Sequence, residues 1–572
     1  MIRPTPAIVA QAAVRPLPRW VLLLLCSAYV LAGFFGRDPW RGDDMQAFGF
    51  MRAMALGQTD WSAPLLAGQP PETSGLLPLW LGAGAMRLLG DWLPLETASR
   101  IPFIALLALT LCVAWHAIHH LARSPLAQPV AFAFGGEADP HGYARAIADG
   151  GLLALIASLG LAQFSHETTS NLTQLVSTTL LLYAAAALRR GRCALPGVAA
   201  AAGLLGLTFS GAPSLALLLG AGSAGVALAS DGRDGPQPAR RRGAALLLAC
   251  TALVAAWATW LGLWHWRIAL PGNAADWLAI PRLLLWFIWP TWLLTLWTLW
   301  RWRHLIAARA HHLLLPLWFG GVVLAVTCLA PPADRALLQG LPAFAALAAF
   351  ALPTLTRSVS AIIDWFTLLF FSVAAITVWV IWLAVQTGIP ATPAANVARL
   401  APGFASHFAP LPFAVALAST LAWCALVRWR TARHRAALWK SLVLPAGGAT
   451  LGWVLLMTLW LPLLNYGRSY APQVALLRQA ITEAHAGIPL QAKDCVAGYG
   501  LDQPLVAALI YQGGLNIATP AQAHQCDWAI VDPDADAQLL EALAPDDWQQ
   551  VAIVARPTDR RDQLTLLRRT PH

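Results

Sequence analysis

The stretch Arg19-Trp20-Val-Leu-Leu-Leu-Leu-Cys-Ser-Ala-Tyr-Val-Leu-Ala-Gly-Phe-Phe35-Gly36 decides the fold. Between Arg19 and Gly36 it carries no charge, and its length approaches the roughly 20 residues a helix needs to cross a bilayer core. Arg3, Arg15 and Arg19 precede it as in a signal sequence, but no small-x-small cleavage site follows, so it reads as an uncleaved first helix. Similar runs recur as far as Leu463. Taking about 20 apolar residues as the unit, they sit near 18–36, 101–122, 150–165, 172–188, 194–209, 213–229, 244–263, 283–300, 313–330, 336–353, 365–385, 408–427 and 441–463, which gives about thirteen spans.

Composition agrees with this reading. The 572 residues are 58% hydrophobic and only 12% charged, more apolar than a water-soluble core requires. The runs are continuous rather than alternating, which excludes a β-barrel. A net charge of +10 would suit a polyanionic partner, but the arginines lie in short clusters between the runs, so nucleic acid is not implied. With the N-terminus inside, the clusters Arg189/Arg190/Arg192, Arg240/Arg241/Arg242, Arg301/Arg303 and Arg428/Arg430/Arg433/Arg435 all become cytoplasmic. An odd number of spans then puts the 37–100 loop and everything after Leu463 on the periplasmic side of a bacterial inner membrane.

The expected architecture is thus an all-α polytopic membrane bundle over 1–463, followed by a small periplasmic α/β domain over 464–572. In that tail, β-like runs at Cys495–Tyr499, Trp528–Val531, Val551–Val554 and Leu564–Leu567 alternate with helical patterns at Pro504–Tyr511 and Ala535–Leu543. Cys495 and Cys526 are the cysteines of this polar segment. In an oxidising compartment they either pair, closing a loop of about 30 residues worth roughly 3 to 4 kcal/mol, or stand as two thiols. The other six cysteines lie in or beside apolar runs and read as small hydrophobes.

Chemistry points to the first outer loop. Arg37-Asp-Pro-Trp-Arg-Gly-Asp43-Asp44-Met-Gln-Ala-Phe-Gly-Phe-Met-Arg52 opens an amphipathic helix on two adjacent carboxylates. Either acid can cap that helix, and a carboxylate at the rim of a bundle can also act as a general base toward an acceptor hydroxyl. Downstream come Asp60-Trp-Ser-Ala-Pro, the turn Gly68-Gln-Pro-Pro-Glu72 and Pro78-Leu-Trp80-Leu-Gly-Ala.

This order of elements resembles the GT-C class of membrane glycosyltransferases, and within it the aminoarabinose lipid A transferase and protein O-mannosyltransferase superfamily. Leu341-Pro-Ala-Phe-Ala-Ala-Leu-Ala-Ala, preceded by Arg335, is similar to a later family segment. The resemblance implies a polyprenyl-phosphate-linked sugar as donor and lipid A, another glycan or a protein as acceptor. It makes Asp43 the catalytic aspartate, Asp44 its acidic neighbour and Arg52 the arginine of the same helix. Where many aminoarabinose transferases carry a Glu-Lys pair that binds the donor phosphate, this chain has Thr73 and Ser74, with Glu72 one place earlier and no lysine. Either another cation takes the phosphate or the donor sits differently.

Further candidates each have two readings. His166 and Glu167, in Phe-Ser-His-Glu-Thr-Thr-Ser-Asn171, are either site residues or solvated loop residues. His265 and Arg267, framed by tryptophans, either bind substrate or anchor the chain at the interface. Arg335 either binds a lipid phosphate or snorkels. A divalent metal would draw on Asp43, Asp44, Glu72, His166, Glu167 or His265, whose spacing selects no particular ion. A nucleotide-binding loop in a strand-helix context is lacking, so no soluble cofactor is expected. The rival class is a polytopic lipid or glycan transporter or flippase. Such proteins place ionisable residues at the membrane midplane, whereas the acids here gather in outer loops.

Overall fold

In a computed structural model, the structure describes residues 5–72, 75–190, 194–231, 233, 237–264, 268, 270, 272–330, 333–432, 437–485, 490, 494–519, 522–533 and 548–570. The chain divides into two compact units. The first comprises Met1–Phe34, Phe103–Ile376 and Phe413–Leu455, and the second Phe35–Pro102, Thr377–Pro412 and Leu456–His572.

The chain is a multi-pass membrane protein, mostly helical. Five helices are long and apolar enough to cross a bilayer: Leu95–Ala122, Gln237–Trp260, His311–Leu329, Arg357–Thr387 and Pro410–Arg430. The count rises to seven if the bent pairs Ala274–Phe287 with Thr291–Arg301, and Lys440–Leu456 with Leu461–Arg468, are each one span. This falls short of about thirteen among the described residues. Glycine and proline divide the remaining apolar runs into helices such as Arg19–Leu31, Ala194–Phe209 and Pro213–Ala229. At about 1.5 Å per residue, 13 residues rise only about 20 Å, less than a hydrocarbon core about 30 Å thick.

In the first unit, the Arg357–Thr387 helix exposes Ile362, Trp365, Phe366, Leu369, Val373 and Ile376, each more than half accessible. Their three- and four-residue spacing makes one apolar stripe, an arrangement that water would penalise and lipid would not. The interior side is closed by small residues. A Cβ on Gly203 would lie 2.7 Å from the carbonyl oxygen of Ser177, so only glycine allows that approach of the two backbones. Hydroxyls also join helices, as where Thr298 Oγ1 donates to the Leu347 carbonyl at 2.8 Å.

The second unit is organised around the helix Asp43–Ala55. Gly49 faces Ala507 on the helix Gln503–Tyr511, and Met51 faces Gly82 on the helix Leu76–Leu89, so tight contacts hold the helix on two sides. Its C-terminal part carries a five-stranded sheet of β1 (Cys495–Tyr499), β2 (Asn516–Ile517), β3 (Trp528–Val531), β4 (Trp548–Arg556) and β5 (Asp559–Arg569), in the order β2-β1-β3-β5-β4. β1 runs parallel to β2 and β3, while β5 is antiparallel to β3 and β4. All four residues of β3 are buried, as befits a central strand. β4 and β5 are longer than their apolar runs, because hairpin pairing satisfies the backbone of polar residues as well. A disulfide joins Cys495 to Cys526 across 31 residues of sequence. The expected helix Ala535–Leu543 lies outside the described residues.

Candidate functional site

Asp43 and Asp44 open the helix Asp43–Ala55 after Gly42, whose φ of 83° suits a residue without a Cβ. The two carboxylates differ in environment. Asp44 is buried and accepts from Arg37 Nη2 at 3.0 Å and from the Trp40 backbone N–H at 3.1 Å. Asp43 is half-buried. The cap position is held by Gly42, with no side-chain cap, so Asp43 and Asp44 occupy the first turn, where the helix dipole favours a negative charge.

Around Asp44 lies a polar cluster that sequence reasoning missed. Arg37 and Arg100 are both buried. The Arg100 charge is felt by Arg37, Asp44, Glu96 and Asp38. Burial raises the Asp38 carboxyl above its ordinary value, opposed by a hydrogen bond with Ser469 and the charge of Arg100. Tyr511 donates its hydroxyl to Glu96. Asn465 holds the loop in place: its Oδ1 accepts from the Asp38 backbone N–H at 3.2 Å and from Trp40 Nε1 at 3.0 Å, and its Nδ2 donates to the Gly36 carbonyl at 3.0 Å. The guanidinium groups of Arg37 and Arg468 lie over the Trp40 ring at 4.7 and 5.0 Å. Glu96 and Arg100 did carry a sequence signal, the four-residue spacing of an acid before a base on one helix. The partners Asn465 and Tyr511 carried none, being hundreds of residues away.

Arg52 stands nine residues beyond Asp43 on the same helix, its guanidinium 5.6 Å from the centre of the Tyr511 ring. Glu72 is exposed, and its backbone N–H donates to Gln503 Oε1 at 3.3 Å. Within the second unit, then, Asp43, Asp44 and Arg52 share one helix, with Glu72 on the following loop.

The other candidates belong to the first unit. His166 is fully buried, its Nδ1 2.5 Å from the Ala162 carbonyl and its Nε2 3.0 Å from the Tyr29 carbonyl, between the rings of Phe34 and Trp453. Glu167 is buried beside it, with Gln163 Nε2 at 3.5 Å. Neither is solvated, which corrects the loop reading: the turn folds into the helices instead of leaving them. Arg335 is half-buried on the short helix Ala333–Leu338, which packs against the helices Leu161–Phe164 and Ser170–Ala187 that flank His166 and Glu167. His265 and Arg267 lie outside the described residues, as do Thr73 and Ser74. Among the described residues, no three His, Cys, Asp or Glu side chains come together as a metal-ligand set.

An apolar helical membrane unit, an acidic loop after the first apolar helix and a C-terminal sheet are the elements of an ArnT-like fold. The chain is similar to the crystal structure of ArnT from Cupriavidus metallidurans bound to undecaprenyl phosphate, with a TM-score of 0.59 and 14% identity over 96% of this chain and 98% of that one. It is also similar to ArnT from the same organism in the apo state, with a TM-score of 0.56, again at 14% identity over 96% and 98% of the two chains. The sequence matches no protein-family model and no curated protein. The likeness is therefore one of fold.

Proposed function

We propose that this chain is a glycosyltransferase of the bacterial inner membrane that moves a sugar from a polyprenyl-phosphate carrier to lipid A or another cell-envelope acceptor. The observation that carries the reading is the half-buried Asp43, set beside an Asp44 held by Arg37, at the head of a helix in a fold shared with ArnT. That ArnT structure is of the protein bound to undecaprenyl phosphate, which supports a polyprenyl-phosphate lipid as the donor carrier here.

In this reading the N-terminus is cytoplasmic, and the 37–100 loop and the 464–572 domain are periplasmic. The acceptor hydroxyl gives its proton to Asp43 as its oxygen bonds to the anomeric carbon. The carbon–oxygen bond to the lipid phosphate breaks, and the phosphate leaves with the electron pair. Attack opposite the leaving group inverts the anomeric centre. General-base help of this kind is commonly worth about 100- to 10,000-fold. Asp44, paired with Arg37, positions the loop, while arginines or a metal ion offset charge growing on the leaving phosphate. His166, Glu167 and Arg335, in the first unit, are proposed as substrate-binding residues.

The test is transfer of radiolabelled sugar from a polyprenyl-phosphate donor to envelope lipids and glycans by membranes carrying wild-type or Asp43→Asn protein at matched abundance. We expect transfer to fall by at least about 100-fold. Transfer by the Asn variant at the wild-type rate would remove Asp43 as the base, and its absence from wild-type membranes supplied with envelope acceptors would remove the transferase reading.

A further inference from the structure

The second unit contains a cleft of about 500 Å³ formed by the far end of the helix Asp43–Ala55, the 58–68 loop and the helix Gln503–Tyr511. Its volume falls within the range of about 300 to 1,000 Å³ usual for small-ligand sites. Ala53, Leu66 and Ala507 line it with apolar atoms, while Arg52, Asp60 and Thr519 bring polar groups to the lining. Nine residues of helix separate Arg52 from Asp43, about 13 Å at 1.5 Å per residue, so this is not the carboxylate site.

Arg52 is the informative residue. Among the described residues its guanidinium has no carboxylate or hydrogen-bond partner, and what holds it is the Tyr511 ring at 5.6 Å. That ring is itself fixed, by an edge contact with Phe48 at a centroid distance of 4.7 Å and by donation of its hydroxyl to Glu96. The cation thus stands 5.6 Å from an aromatic ring that is itself packed and hydrogen-bonded, among the residues lining a cavity, with its N–H donors unspent among the described residues. Such a group recognises phosphate or carboxylate through paired hydrogen bonds. The neighbouring carboxylate and hydroxyl suit the hydroxyls of a sugar ring, which a simple anion would not use. Part of the lining is set by a tight turn, in which Leu66 and Gln69 exchange backbone hydrogen bonds of 2.9 and 3.0 Å while Ala67 and Gly68 adopt φ of 48° and 81°.

We propose that this cleft is a second recognition site and that it binds an anionic saccharide, with Arg52 on the phosphate or carboxylate and Asp60 and Thr519 on ring hydroxyls. Its role as the seat of an acceptor's charged sugar, with the reacting hydroxyl about 13 Å away at Asp43, rests on the transferase reading; the binding itself does not.

Full-length protein in nanodiscs, titrated calorimetrically with glucose 1-phosphate, glucuronate, glucose and inorganic phosphate, tests the assignment. We expect glucose 1-phosphate or glucuronate to bind, at least about 10-fold more tightly than glucose or inorganic phosphate. The Arg52→Gln variant should lose at least about 10-fold of that affinity, and Arg52→Lys should recover part of it. Asp43→Asn should bind as the wild type does, even if transfer fails, which separates this site from the catalytic proposal. Equal binding of glucose and glucose 1-phosphate, or unchanged affinity in a folded Arg52→Gln protein, overturns the role of Arg52. Inorganic phosphate binding as tightly as the sugar phosphate overturns the assignment to a saccharide.

Discussion

Two adjacent aspartates in one helical turn have been given different work by their surroundings. Asp44 is enclosed with Arg37 and a backbone N–H, an arrangement that compensates its buried charge and fixes the loop. Asp43 is only half-buried, which is what its proposed role as a base requires. Asp38 shows the same physics in its titration. Burial raises its carboxyl above the ordinary 3.8, so over a window starting near pH 4 the folded chain holds a proton that the unfolded chain has lost. Within that window the folded state binds more protons, and stability falls as pH rises. Asp38→Asn removes this contribution. Unfolding measured by near-ultraviolet circular dichroism from pH 4 to 7 should show the variant gaining on the wild type as pH increases, and parallel profiles would exclude a buried, proton-holding Asp38. That Asp43, Asp44 and Arg52 share one helix was legible in the sequence because their spacing is local. Arg37 and Asn465 were not: an arginine that pairs inward and one that snorkels are spelled alike, and Asn465 meets Asp38 and Trp40 across more than 400 residues of sequence.

At the scale of elements, the site depends on how closely the helix Asp43–Ala55 is approached from two sides. A Cβ added at Gly49 would stand 2.5 Å from the Cβ of Ala507, which has no rotamer by which to escape. One added at Gly82 would meet Met51 Sδ at 2.2 Å, but a methionine can swing away. Gly49→Ala is therefore expected to cost about 1 to 3 kcal/mol through overpacking, and to weaken ligand binding in the Arg52 cleft, because Gly49 and Ala507 both line it. Gly82→Ala should cost less. Thermal unfolding of both variants checks the order, and a larger loss at Gly82 would contradict the packing argument. The strands β1 and β3 and the helix over Pro504–Tyr511 were readable from apolar runs; the cap by Asp502, which accepts from the Leu505 N–H at 3.0 Å, was found in the structure. The full length of β4 and β5 was not readable, because their ends are specified by each other across the hairpin.

For the whole molecule, apolar composition fixed the solvent more firmly than the number of crossings. Counting runs of about 20 residues merges or splits helices wherever glycine or proline interrupts them, so the runs predicted about thirteen spans while five helices, or seven with the bent pairs, meet the length and composition of a span. Sidedness rests on a different property, the distribution of arginine, and the disulfide offers a test independent of it. A bridge between Cys495 and Cys526 closes a 31-residue separation, and a loop of that size is worth roughly 3 to 4 kcal/mol on the chain-entropy model. It persists only where the compartment is oxidising. In cells expressing a variant with alanine at Cys26, Cys112, Cys193, Cys250, Cys328 and Cys424, free thiols are blocked by alkylation before lysis. Reduction followed by maleimide-polyethylene glycol should then shift the protein by two additions. Two additions without reduction, in a sample that was not alkylated, would mean that the domain faces a reducing compartment, and the proposed orientation would have to be reversed.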